Sequence, residues 1–314
     1  MTKIATRTAY GQALAKLGEE NPNIVVLDAD LSKSTKTADF AKKFPERFFN
    51  AGIAEANLMG MAAGLAAAGK IPFASTFAVF ATGRAFEQVR NSIAYPKLNV
   101  KVAATHAGIT VGEDGGSHQS VEDVSLMRSI PNMTVIVPAD AVETEKAVRA
   151  AAEHQGPVYI RLGRLDLPVI LPEDYEFKLG KAVALRQGWD AAVFANGTML
   201  ALALEAAEAL AREGIEVAVV NVSTVKPLDT AAVAEAARQA GAVVTAEEHS
   251  IIGGLGSAIA EALAENCPVP MERVGLMDTF GESGSPWELM EKYGLTVGGI
   301  VDAVRRVYQR KAQG

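Results

Sequence analysis

Cysteine is almost absent from this chain of 314 residues: Cys267 stands alone, which excludes an intrachain disulfide framework and any multi-cysteine metal knuckle. It reads as a small buried hydrophobe, and its isolation fits a reducing, cytoplasmic compartment. Long apolar runs are missing too. The apolar stretches are short and broken by charge, and the opening MTKIATRTAYGQ has no apolar core, so neither a membrane span nor an export signal is expected. Basic residues are outnumbered, 30 Lys and Arg against 37 Asp and Glu for a formal charge of -7, and no basic run is interleaved with aromatics. A nucleic-acid groove is therefore not expected, and an anionic ligand would need cations gathered locally. There are only four histidines, and aromatics make up 6% of the chain, so any place where either gathers is informative.

Hydrophobic residues make up 49%, enough at this length for two domains with their own cores. Short β-branched or apolar runs alternate with Ala-rich helical stretches. Residues 24–27, 100–104, 133–137 and 158–162 read as buried strands, with helices over 55–68 and 141–154. After Arg164 the text turns to LDLPVILPEDYEFKLG, which has prolines and acids but no helical period. A second unit follows, with strands at 191–194, 217–222 and 242–246, helices at 199–212, 230–239 and 255–266, and a last helix at 297–310. The fold class expected is α/β: two consecutive domains, 1–167 and 187–314, each a mostly parallel sheet flanked by helices, joined by a linker at 168–186.

The densest chemistry lies in Thr105 to Asp123, THAGITVGEDGGSHQSVED, which holds two of the four histidines, several carboxylates and a set of glycines. Glycines let a loop approach a ligand with its backbone N–H groups, and His106, Asp114 and His118 can bind hydroxyls or move protons near neutral pH; a solvated turn with incidental histidines is the plainer alternative. Two other glycine patterns are decoys. GLAAAGK at 64–70 has phosphate-loop spacing but Ile71 where a Ser or Thr is needed, and reads as a helix C-terminal cap. GGLGSAI at 253–259 imitates a dinucleotide fingerprint without its third glycine, and reads as a tight turn that lets a helix pack closely.

Glu55 falls on the same helix face as Leu58, Met59 and Ala62, at spacings of three, four and seven. That face is apolar, so the carboxyl must be protonated, paired with a cation, or used to satisfy the helix's own first N–H groups. Phe77 and Phe80 are three apart and either line a flat pocket for a heteroaromatic ring or belong to the core. Arg7, Ser34, Arg161 and Arg164 are scattered; jointly they could neutralise a phosphate.

In this order the pieces ATR, DADLSKS, GIAE, STFAVF, THAG, GEDGGSHQSVED, PNMTVIVPAD, YIRLGR, VKPLD, EEHSIIGGLGS and GESGSPWEL resemble the C-terminal half of transketolase, its pyrimidine-binding and C-terminal domains, over essentially the whole chain. The resemblance implies thiamine diphosphate as cofactor, shared with a partner chain whose diphosphate-binding domain also holds a divalent metal such as magnesium. The GDG signature with its following Asn is not in this sequence, so no metal ligand is assigned to it. The chain thus resembles one subunit of a split transketolase, in an assembly of two plus two chains, or else a piece of a longer polypeptide. Carried onto matching positions, Glu55 would hydrogen-bond the aminopyrimidine and activate the cofactor. Phe80 would stack on that ring with Phe77 as pocket wall, and His118 would contact the cofactor-bound fragment and assist proton transfer. Asp114 would accept a hydrogen bond from a substrate hydroxyl, and Arg7, Ser34, His106 and Arg164 would hold the phosphate of a sugar phosphate, with His106 counted as a third cation-capable group. GGSHQS replaces the commoner GPTHQP, and the spacing from Phe80 to Arg84 differs by a residue from familiar transketolases. A deoxyxylulose-phosphate synthase-like or 2-oxoacid dehydrogenase β-like subunit is the same-chemistry alternative. A non-catalytic regulatory or nucleotide-binding protein is the rival from another class.

Overall fold

The computed structural model describes residues 2–312 and shows two α/β units, each built on a parallel sheet between helical layers. The first sheet has seven strands in the order Thr224–Lys226, Thr134–Ile136, Val158–Arg161, Lys101–Thr105, Ile71–Phe77, Ile24–Asp28 and Phe48–Asn50. All neighbours are parallel except Thr224–Lys226, which runs antiparallel at the edge. Period-two alternation divides each central strand between two cores. Val25, Leu27, Val102 and Ala104 face a layer that includes Leu58, Met59 and Met127, while Ile24, Val26 and Ala103 face Tyr10, Leu14, Phe40 and Val148. With helices on both faces, the strands are apolar runs rather than half-polar ones.

The second sheet runs Met271–Leu276, Val243–Ser250, Ala191–Ala195, Val217–Asn221 and Val183–Arg186, parallel except for the last. Helices Met199–Ala211 and Val297–Lys311 cover one face, and Thr230–Ala240 and Leu255–Asn266 the other. Val183–Arg186 lies inside the stretch expected to be a linker. It is a half-exposed edge strand, so no buried apolar run announces it. Asp166–Pro168 likewise pairs with Lys3–Ala5. The rest of the connection is held by buried carboxylates: Asp140 Oδ2 accepts from the Ile170 and Leu171 amides, and Glu143 Oε1 from Tyr175 Oη and Asn221 Nδ2. Among the described residues no helix is long and apolar enough to cross a membrane.

The parallel strands of the first sheet end together, and their carboxyl ends release the segments that matter: Asp28 into 29–37, Phe77 into Phe80 and Arg84, Thr105 into 106–119, and Arg161 into Arg164. An open parallel sheet binds ligands at this edge.

Candidate active site

Arg7 lies in the first turn of helix Thr6–Glu20 and reaches across the sheet edge. Its Nη1 donates to the Ser34 carbonyl oxygen at 3.0 Å and lies 3.2 Å from His106 Nε2, while its Nε is buried without a partner. Ser34 enters through that carbonyl. The turn bearing it is tied down by Asp28, whose carboxylate accepts from the Leu31 amide and from the Thr35 and Thr37 hydroxyls. His106 is buried at φ +57°, a left-handed conformation that is costly for a residue with a Cβ. Its ring stacks on Phe77 at 3.8 Å between centroids, and its Nδ1 is 2.8 Å from Thr105 Oγ1. Burial first, then the charges of Arg7, Arg164 and His118, push its pKa down to about 3. The imidazole is therefore neutral near pH 7. Since Arg7 can only donate, Nε2 accepts and the proton sits on Nδ1, facing Thr105. In this form His106 adds no charge beside Arg7 and Arg164, and burial, then the charge of Arg164, lowers the Arg7 pKa.

From Phe77 the contacts continue outward. Phe77 and Phe80 are near-parallel at 6.0 Å, and His118 stands edge-on to Phe80 at 5.4 Å, with its Nδ1 3.0 Å from Ser117 Oγ. Arg84 covers the Phe80 ring at 4.8 Å and places Nη1 3.5 Å from Glu55 Oε2. Glu55 is 3% exposed and Arg84 58%. The helix begins at Glu55, and Leu58, Met59 and Ala62 on its face are fully buried. Phe77 is buried and Phe80 is half-buried beside the histidine. The segment from Phe80 to Arg84 is π-helical, the local form that accommodates an extra residue, and it brings Arg84 back over the ring. Arg164 Nη1 is 3.6 Å from Asp114 Oδ2 and also bonds the Val111 carbonyl. With Asp114 and Arg164 forming a pair of their own, Glu55, Phe77, Phe80, His118, His106, Arg7 and Ser34 join one band of contacts. Arg161 does not: it is buried, paired with Asp123 at 2.8 Å, and donates to the Glu248 carbonyl oxygen.

Two sequence models match the chain, one described as transketolase, pyrimidine binding domain, over residues 2–169, the other as transketolase, C-terminal domain, over 180–300. The chain belongs to the transketolase family. Among solved structures, a split gene transketolase described as an inactive beta4 tetramer matches with a TM-score of 0.93 at 61% identity, covering 98% of this chain and 99% of that one. The 6-deoxy-6-sulfo-D-fructose transketolase subunit SqwH of Clostridium sp. (strain MSTE9) is 50% identical over 305 residues, 97% of this chain and 95% of its own length. Transketolase of Homo sapiens is 39% identical over 307 residues, 96% of this chain but 49% of that protein.

Within this transketolase-family chain, glycines of the 105–123 loop make room for the second domain. Gly108, Gly112 and Gly115 all have positive φ, and a Cβ on them would meet Glu248 Oε1 at 2.1 Å, Pro286 Cδ at 3.2 Å and Ser283 Oγ at 2.5 Å. They admit the second domain. The two decoy patterns resolve physically. Gly69, at φ +87°, terminates helix Glu55–Ala67 just before strand Ile71–Phe77. At GGLGS the anion on the helix N-terminus is internal: Glu247 accepts from the Leu255 and Gly256 amides at 2.7 and 2.8 Å. Arg84, Asp28, Gln119 and Glu248 were not singled out. An arginine four residues past Phe80 was the available signal for the first, whereas the others act through contacts distant in sequence.

Proposed function

We propose that this chain is the pyrimidine-side subunit of a two-polypeptide transketolase, moving a two-carbon ketol unit from a ketose phosphate to an aldose phosphate. Its partner is an N-terminal subunit that supplies the diphosphate-binding domain and a divalent metal, in an assembly of two plus two chains. The observation that carries this reading is the continuous wall from Glu55 through Arg84, Phe80, Phe77 and His106 to Arg7. The residues present fit one end of thiamine diphosphate: a buried carboxyl on an apolar helix face and a half-buried phenyl ring suit an aminopyrimidine. Among the described residues no group of three His, Cys, Asp or Glu that could hold a metal occurs, and the other end is assigned to the partner chain. The cofactor, when bound, supplies the electron sink for the two-carbon unit.

The remaining work falls to this chain. Glu55 presents its carboxyl to a ring nitrogen, and Phe80 takes the ring face once Arg84 yields it. His118, beside Phe80, holds or passes a proton at the reacting carbon's oxygen. Asp114 accepts from a neighbouring hydroxyl, and its ion pair with Arg164 keeps the two side chains together. Arg7 Nε, buried and unpartnered, has a donor for a terminal oxyanion, and Arg164 adds the second charge. The neutral His106 and the Ser34 carbonyl hold the Arg7 guanidinium in place. The same cations suit a phosphate or a sulfonate, the group on the substrate named for the Clostridium relative.

The test is reconstitution. This chain alone should neither turn over xylulose 5-phosphate nor bind thiamine diphosphate tightly by calorimetry, and adding the diphosphate-domain polypeptide with Mg²⁺ should restore both. Robust turnover by the isolated chain would overturn the split-subunit reading. In the restored complex Glu55→Gln should sharply lower turnover, and near-normal turnover would remove Glu55 from its role.

A further inference from the structure

We infer that the second domain sets the shape of the loop carrying Asp114 and His118, and that Gln119 is the positioning residue through which it acts. This rests on the reading of that loop as substrate-facing. Gln119 is 2% exposed, and its Nε2 faces three carbonyl oxygens: Ile109 at 3.3 Å and Gly112 at 3.1 Å within the loop, and Glu282 at 2.9 Å in the second domain. An amide nitrogen has two hydrogens, so the three acceptors share them, and a shift of Glu282 redistributes the bonds inside the loop. The Gln119 Oε1 is buried without a partner.

Around this side chain the two domains meet at close range, with glycines against the facing segment. A methyl on Gly281 would stand 1.8 Å from Gln119 Oε1, and one on Gly116 would stand 2.7 Å from the Gly281 carbonyl oxygen. Ser283 and Pro286 close on Gly115 and Gly112 in the same way. The Gln119, Ser283 and Pro286 side chains lie this close to glycines of the facing segment, so displacement of 281–286 passes into 112–119. His118 takes that displacement at once, because its amide and that of Gln119 both bond the Gly115 carbonyl, at 2.9 and 3.1 Å. At the loop's start a second contact from the same domain holds the other end: Glu248 accepts from the Thr110 amide at 2.9 Å and from Thr198 Oγ1 at 2.8 Å.

Gly281→Ala tests this in the two-chain enzyme. Gly281 does not have positive φ, so the added methyl acts by contact and not by backbone strain. The expected result is a rise in KM for the ketose phosphate of about tenfold, a size ordinary for residues in contact, with thiamine diphosphate affinity held within about twofold. Amide exchange of 115–119 should quicken in the same variant. The double variant with Gln119→Ala should be little worse than Gln119→Ala alone, since the severe contact is gone and the methyl then meets only Ile109 Cγ2, at 3.3 Å. Gly298→Ala, a second-domain methyl with no neighbour closer than 3.8 Å, should change none of these readouts. Unchanged KM and exchange in Gly281→Ala, or strict additivity in the double variant, would overturn the inference. If Gly281→Ala does not fold, Gln119→Ala alone must still quicken exchange at 115–119, and failure to do so is equally decisive. Lack of ketol transfer by the wild-type complex would count against the functional reading instead, leaving the exchange result to judge the positioning.

Discussion

His106 shows how far a single residue's chemistry is decided by its neighbours. The sequence marks it as a histidine in a glycine-rich loop, and from that alone it could be a cation, a base or a bystander. Burial, Phe77 stacked on its ring and Arg7 at its Nε2 leave only the neutral form. The folded pKa of about 3 lies below the ordinary value of 6.5, so the unfolded chain takes up a proton that the folded chain refuses. The stability from this group is fully present above about pH 6.5 and is lost as pH falls toward 3, amounting to ~2 kcal/mol by pH 5. Urea unfolding at pH 7 and pH 5 should show a smaller acid-side loss in His106→Gln than in the parent chain; equal losses would contradict the assignment. Glu55 was more legible, because the apolar positions three, four and seven residues on define its face without knowledge of the fold. Arg84, which completes its surroundings, was not, since its approach depends on a π-helical turn that no residue pattern announces.

Among the elements, those with strong periodicity were found to within a residue or two, such as helices Glu55–Ala67, Ala141–Glu153 and Leu255–Asn266 and strands Ile24–Asp28 and Val158–Arg161. Strand Ile71–Phe77 was masked. It carries Pro72 and the small polar Ser75 and Thr76 in the middle of a sheet, which is an unusual text for a central strand. Helix Thr6–Glu20 did have a signal, apolar residues at Ala9, Tyr10, Ala13, Leu14 and Leu17, spaced by three and four. In the second domain, GGLGS was legible as the entry to a helix, but the Glu247 carboxylate that caps it comes from the preceding strand. Glu247→Ala should therefore cost about 2–3 kcal/mol, because two buried amides lose a charged acceptor. Glu247→Gln should cost less, as one oxygen remains. Equal midpoints in urea for Glu247→Ala and the parent chain would remove the cap from the account of this helix.

At the scale of the whole molecule the two units are not independent. The strand Thr224–Lys226 leaves the second unit to close the edge of the first sheet, and Lys226 Nζ donates to the Arg128 and Ile130 carbonyl oxygens. The Arg161 hydrogen bond to the Glu248 carbonyl oxygen crosses the same boundary. Alternation of strands and helices made the plan of two α/β units legible, but a three-residue strand offers too little text to show which sheet it joins. A fragment of residues 1–179 should lack a sharp melting transition, since the edge at Thr134–Ile136 is left open and Arg161 loses its Glu248 acceptor. A fragment that melts cooperatively near the temperature of the full chain would show that the crossover strand is dispensable. The exchanged strand also bears on modularity. Chimaeras of two relatives joined in the 168–186 connection would place a foreign strand on the sheet edge and a foreign 281–286 segment against the glycines of the loop. The point where the chain is easiest to cut is therefore not the point where its parts can be exchanged, and recombinants will have to carry both matching surfaces across together.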